Sequence, residues 1–293
     1  MAEVVTFGTS EELSQLRDKI YYKTSQVQEF HVNLQLASKG KLTVLECDLP
    51  RTSDDYERNF YSKRHLVNAI SELILTYWEG KLINDIIKEN FYFFKPEEKE
   101  KIISRSKEII QTGHPTKYKT LVYEINRKTK IINKLSEYLE LNKELNIEGF
   151  VKFRLKDYVK ELNEAVNYAV DEYMMEKEYK EFIRLLRYFV EIQEPRLNQV
   201  HVVVKGAAKF KLFDDKQEEI SNEYLDDFFS DLIDTDINYE DLLISALITI
   251  APKQLTIHMP NQDEDGDTIK TIRQIFSDRL TNCDGCHWCN QLP

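Results

Sequence analysis

Apolar and polar positions change period along this chain. They follow a period of two near both ends and a period near 3.6 through the middle. Residues 3–7 read as a short strand. Ser10, Glu11 and Glu12 then open a helix with acidic residues in its first turn, and Leu13, Leu16 and Ile20 supply its apolar stripe. Val32, Leu34 and Leu36 alternate with polar residues, Ser38, Lys39 and Gly40 provide a turn, and Leu42, Thr43, Val44 and Leu45 return, which is a hairpin pattern.

From 54 to 193 the alternation gives way to helical spacing. Leu66, Ala69, Ile70, Leu73, Ile74 and Tyr77 share one face of a helix expected to end at Gly80. Lys95, Pro96, Glu97 and Glu98 open another, with proline near its first position, and Gly113 followed by Pro115 closes it. Leu121, Ile125, Ile132, Leu135 and Leu139 mark a long amphipathic helix. Residues 150–192 hold one or two more before Pro195, and the aromatic run Phe91, Tyr92, Phe93 and Phe94 is expected in the core. The last hundred residues return to mixed structure. Strands are expected at 200–204, 210–213 and 254–258, acidic helices at 222–233 and 239–250, and a final helix near Asp267 burying Ile269, Ile272, Ile275, Phe276 and Leu280. The fold class expected is α+β, with a predominantly helical middle block flanked by small mixed α/β segments. The divisions are 1–52, 53–194 and 195–293, packed as one globular unit because neither flank has enough strands to stand alone.

Composition narrows the chemistry. The chain holds only 8 Gly in 293 residues, under half the average share of about 7%. The closest pair, Gly266 and Gly285, lies too far apart for a dinucleotide fingerprint, a P-loop or a nucleophile elbow. The longest stretch free of charged side chains runs through residues 242–252, far short of the ~20 apolar residues a spanning helix needs. No basic, apolar leader is visible at the start, so the expected location is cytoplasmic, without a membrane span. The net charge of −11 is concentrated: residues 214–241 carry twelve acidic side chains and one basic, whereas 101–134 carries nine basic and two acidic. In the basic run, Arg127, Lys128, Lys130 and Lys134 could track phosphates while Tyr118 and Tyr123 stack on bases, but the solvated face of a helix accounts for them better.

The C-terminus carries the one concentrated cluster of soft ligands. Cys283, Cys286 and Cys289 are each separated by two residues, and Gly285 permits the tight turn that brings neighbouring sulfurs to one side. Zinc would want a fourth ligand, and Cys47, His201, His258 and His287 are the candidates. His258 is favoured because it ends the strand before the last helix, whereas His287 has poor reach between two ligating cysteines. An iron–sulfur cluster is the alternative occupant. A reactive redox pair is disfavoured here because a helix precedes the cysteines and its dipole opposes a thiolate. Residues 261–267 imitate the first half of a calcium loop, but Ile272 stands where the bidentate Glu belongs, so an acidic turn leading into an Asp267 N-cap is the expected reading.

Three groups of words carry a resemblance to a known family: Gln254 to Pro260 (QLTIHMP), Thr271 to Leu280 (TIRQIFSDRL) and Cys283 to Cys289 (CDGCHWC). The strands beginning VHVVV and FKLFD add to it. On these residues the chain resembles the YtxC-like family, which implies a setting in sporulation of endospore-forming bacteria and little about mechanism. The expected function is therefore a cytoplasmic, sporulation-associated, non-enzymatic protein that binds a protein partner, with metal at Cys283, Cys286, Cys289 and His258. The alternatives are a nucleic-acid-binding regulator using the 101–134 surface and an iron–sulfur enzyme.

Overall fold

The structure, a computed structural model, describes residues 3–9, 18, 22, 33–39, 42–49, 56–112, 121–204, 210–220, 239–259 and 266–290. The helices expected after Ser10 and at 222–233, the 205–209 connection and the acidic loop at 261–265 lie outside the described residues. The chain divides into two compact units, Met1–Met174 and Met175–Pro293.

The first unit starts with β1 (Glu3–Thr9), β2 (Asn33–Lys39) and β3 (Leu42–Leu49). The hairpin register pairs Lys39 with Leu42 and Leu36 with Leu45, and β3 runs on antiparallel to β1, pairing Phe7 with Leu45. Helices follow: α1 (Tyr56–Leu73), a π-helical turn (Ile74–Trp78), α2 (Glu79–Asn90), α3 (Pro96–Thr112) and α4 (Leu121–Leu141). A three-residue strand, β4 (Glu144–Asn146), then interrupts the block expected to be wholly helical, pairing parallel to β1 to complete the order β2-β3-β1-β4. It escapes a periodicity search because three residues are too few to show alternation. The Asn146 side chain accepts from the Gly149 N–H and caps α5 (Ile147–Arg154). Phe7, Leu45, Ile70, Ile83, Ile102, Leu135 and Val166 meet in the unit's core.

The π turn decides where that core lies. Chain helicity continues through Gly80 instead of ending there, and the wider turn advances the buried face by one residue, from the expected Tyr77 to Trp78 and Glu79. Glu79 is thereby turned inward, where its Oε2 accepts from Arg127 Nη1 (2.9 Å) and from the Tyr158 hydroxyl (2.6 Å). Burial, and then the Glu79 carboxylate, push the Tyr158 hydroxyl far above its ordinary range, so it stays a proton donor. The aromatic run is only partly in the core: Phe94 is buried, whereas Tyr92 and Phe93 are 75% and 64% exposed.

The long helix α6 (Lys156–Ile192) carries residues of both units. In the second unit its Ile183 and Val190 join a core formed by β5 (Gln199–Val204), β6 (Phe210–Phe213), α7 (Tyr239–Ile250), β7 (Gln254–His258), α8 (Asp267–Phe276) and β8 (Leu280–Asn282). The sheet order is β6-β5-β7-β8, with β5–β6 antiparallel and β5–β7–β8 parallel. Helix α8 is the crossover that parallel β7 and β8 require. Its Ile269, Ile272, Ile275 and Phe276 are buried as expected, but Leu280 lies in β8 rather than in the helix. The N-cap of α8 is Gly266, with no side-chain cap, and Asp267 is instead the first helical residue, bonded to Lys270 Nζ at 3.1 Å. The architecture is α+β, helical in the middle with a small mixed sheet toward each end.

Candidate metal centre

The parallel pairing of β7 and β8 builds this site. Both strands run in the same direction, with Ile257 beside Asn282, so His258, the last residue of β7, and Cys283, the first after β8, stand side by side at the C-terminal ends of the strands. The Cys283 N–H bonds the Ile257 carbonyl at 3.0 Å and pins the start of the loop. Gly285 follows at φ +124°, a conformation L side chains rarely adopt, and reverses the chain so that Cys286 faces back toward His258. A short helix, α9 (His287–Asn290), then presents Cys289.

One ligand atom from each of His258, Cys283, Cys286 and Cys289 lies within 4.8 Å of the other three. Cys286 Sγ is 3.3 Å and Cys289 Sγ 3.7 Å from His258 Nδ1, and the two sulfurs are 3.9 Å apart. A tetrahedral zinc with Zn–S of about 2.3 Å and Zn–N of about 2.0–2.1 Å implies edges of about 3.8 Å for S···S and about 3.6 Å for S···N. The S···S spacing and the two S···N spacings lie within about 0.3 Å of those edges. They also rule out a bonded disulfide, and all the cysteines are free thiols. The four groups could therefore hold a metal ion.

Electrostatics prepare the ligands unequally. Desolvation, then the His201 and His287 rings, lower the His258 pKa to about 4, which keeps its imidazole neutral at neutral pH. Burial raises the Cys283 thiol to about 11, ahead of a Gly285 backbone bond that acts the other way. For Cys286 burial also opposes ionisation, but backbone N–H groups of Cys289 and Trp288 and hydrogen bonds from Cys283 and Cys289 bring the net shift below the ordinary thiol value. The shift at Cys286 runs against the expectation that the thiolate is disfavoured, whereas at Cys283 the thiolate is disfavoured, by burial rather than by a helix dipole. A 3-10 turn (Ser277–Arg279) and β8 separate α8 from the cysteines, and Cys286 instead precedes the N–H groups of the following turn.

Around the four groups stands an aromatic wall. The Trp288 ring stacks on Phe213 (centroids 5.1 Å apart, 22° between planes) and meets the His201 and His258 rings edge-on at 5.1 and 5.0 Å. His201 Nδ1 lies 3.0 Å from His258 Nε2. With His258 Nδ1 turned to the sulfurs, its Nε2 is free to carry the proton and donate it to His201, fixing the tautomer and the ring plane. His201 thus supports His258 from outside. Cys47, another candidate, is buried in the first unit's core, and His287 is exposed and outside the four-atom group.

His201→Ala is expected to weaken metal affinity by ~10–100-fold, with His201→Gln, which can still accept from His258, recovering most of it. Competition titration with a chromophoric chelator measures both. In metal-free protein, His258 stays neutral down to about pH 4, whereas the unfolded chain takes up that proton near its ordinary value of 6.5. The unfolded state thus binds more protons in this window, so stability of the second unit falls as pH drops from 6.5 toward 4. Urea unfolding at pH 7 and pH 5 tests this, and His258→Gln should flatten the difference.

The basic run has partners. Arg127, expected on a solvated face, is 5% exposed and paired with Glu79. Lys130 pairs with Glu161 and Lys134 with Asp157, while Arg105 bonds both Glu172 and Glu108. Tyr118 and the Tyr123 side chain lie outside the described residues. Among the described residues, no helix is long and apolar enough to cross a membrane.

Residues 64–281 match the YtxC-like family, so His201 and His258 lie inside the matched region and the three cysteines just beyond it. The chain is 27% identical over 223 residues to "Uncharacterized protein YtxC" of Bacillus subtilis (strain 168), covering 75% of this chain and 77% of that protein. No solved structure matches. With about three quarters of its length inside the match, the chain belongs to the YtxC-like family.

Proposed function

We propose that His258, Cys283, Cys286 and Cys289 bind one zinc ion that fastens the C-terminal loop to the edge of the second sheet. On this reading the protein is a non-enzymatic component of sporulation in the cytoplasm that works by binding a protein partner. One observation carries the metal assignment: two thiols and an imidazole nitrogen stand at close to tetrahedral spacing, with the third thiol, Cys283, inside the same 4.8 Å group. Four protein ligands close a zinc shell, whereas a catalytic site keeps a position open for water or substrate. Three thiolates with one neutral imidazole also suit a borderline-soft ion better than magnesium or calcium. The sporulation setting is supported by the family resemblance alone.

Cobalt substitution tests the ligand set. One equivalent of Co²⁺ should give the intense visible bands of a tetrahedral, thiolate-ligated ion, displaced by an equivalent of zinc. A weak octahedral spectrum would overturn the assignment. For the biological part, a deletion strain forming spores at the parental frequency would remove the sporulation role.

A further inference from the structure

The C-terminal stretch of α6 is apolar on two faces, and the second unit uses only one of them. Ile183 and Val190 are buried in its core, with Leu186 packed against them. On another side of the same helix, Phe182, Leu185, Tyr188, Phe189 and Ile192 are 42–58% exposed, and Met175 extends the face one turn beyond Glu178. None of them belongs to the buried core of the second unit. Phe182, Leu185, Phe189 and Ile192 are spaced three, four and three apart, which is the a/d seam of a two-helix pair rather than scattered surface apolar residues.

We propose that this seam is a dimer interface, occupied by the same helix of a second copy of the chain running antiparallel. The spacing is self-complementary. When Phe182 lies opposite Ile192 of the second copy, one two-fold axis also sets Leu185 opposite Phe189, so both layers close together. Charge permits it: the seam's edge carries Glu181 and Arg184, which line a groove of about 490 Å³ with Phe182, Leu185 and Tyr188. One carboxylate and one guanidinium leave that edge neutral, whereas a single-sign edge would repel its own copy. Area is sufficient as well. Half-exposed side chains of this size, at ~150–250 Å² each for the aromatic ones, offer roughly 600 Å² per copy, near the ~800 Å² per partner of a standard interface. This inference is independent of the metal reading, since no seam residue belongs to the four-atom group.

Sedimentation equilibrium of the full chain, in zinc-containing buffer and at micromolar loading, tests it. The expected mass is twice the 34.7 kDa of one chain, persisting in high salt because the seam is apolar. The double variant F182E/F189E should sediment as a monomer, with dimerisation weakened at least ~30-fold, the scale of losing one hot-spot anchor. Its far-UV circular dichroism should match the parent, because both side chains are already solvent-facing. If that variant fails to fold, the single substitution Leu185→Asn should weaken the dimer in the same direction. A parent monomeric at every concentration, or a dimer that neither variant weakens, would overturn the proposal. A monomeric parent destabilised by F182E/F189E would do so too, by assigning the seam to another part of the same chain.

Discussion

Replacing Cys286 with serine is expected to weaken zinc binding by at least ~100-fold. Structural zinc sites of comparable donors carry ~10–16 kcal/mol of apparent binding free energy, and one ligand of four accounts for about 3 kcal/mol of it, with ~1.4 kcal/mol per factor of ten. Cys286 is the thiol held below its ordinary pKa and lies 3.3 Å from His258 Nδ1, so its loss removes the sulfur whose ionisation the neighbouring N–H groups favour, beside the imidazole. The effect should be confined to the second unit. Metal binding is linked to folding by mass action, so zinc should raise the parent's unfolding midpoint in urea and raise that of Cys286→Ser by clearly less. The chain's tryptophans are Trp78 and Trp288, and Trp288 packs against His258. A Trp78→Phe background therefore reads this unit alone by fluorescence. Equal zinc-induced shifts in parent and Cys286→Ser would count against the ligand assignment.

The second large effect is in the first unit and has nothing to do with metal. Glu79→Ala is expected to cost ~3–5 kcal/mol of stability, the usual penalty for removing one partner of a buried ion pair. Glu79 Oε2 receives both the Arg127 guanidinium and the Tyr158 hydroxyl, and its replacement strips a buried cation of its carboxylate. The opposite result is expected when both charges go. Glu79→Leu combined with Arg127→Met and Tyr158→Phe should recover most of the loss, since well-packed apolar groups avoid the desolvation cost and no buried donor loses its acceptor. Urea unfolding followed by Trp78 in a Trp288→Phe background measures both. A single-variant loss under about 1 kcal/mol would mean that the pair is solvated rather than buried.

The Glu79 site also shows where sequence reading runs out. The apolar spacing of residues 66–74 marks α1 correctly, but a π turn adds a residue without leaving any signature in hydrophobicity. The expected face therefore slips by one position at Tyr77, and a carboxylate enters the core unannounced. Arg127 follows from the same slip: beside Lys128 and Lys130 it looks like part of a solvated cationic face until its partner, 48 residues away, is known. Punctuation was more legible. Pro96 opens α3, the limits of β7 and the end of the 239–250 helix fall where expected, and the stop expected at Gly113 and Pro115 lies outside the described residues.

For the metal centre the division is similar. Cysteine spacing and Gly285 mark the loop, and the place of His258 at the end of a strand before the last helix points to it as a neighbour. The support from His201 and Trp288 was not legible, because it depends on β5 and β7 lying side by side in parallel register across 57 residues of sequence. Alternation identifies each strand but not its neighbours in the sheet.

The most direct measurement is elemental analysis of the full chain, purified without chelator and under nitrogen, beside the Cys283→Ser, Cys286→Ser, Cys289→Ser triple variant. The expected result is one zinc per chain in the parent, none in the variant and no visible absorption in either. Parent protein free of zinc after equilibration with the ion, or carrying several irons with visible absorption, would contradict the account.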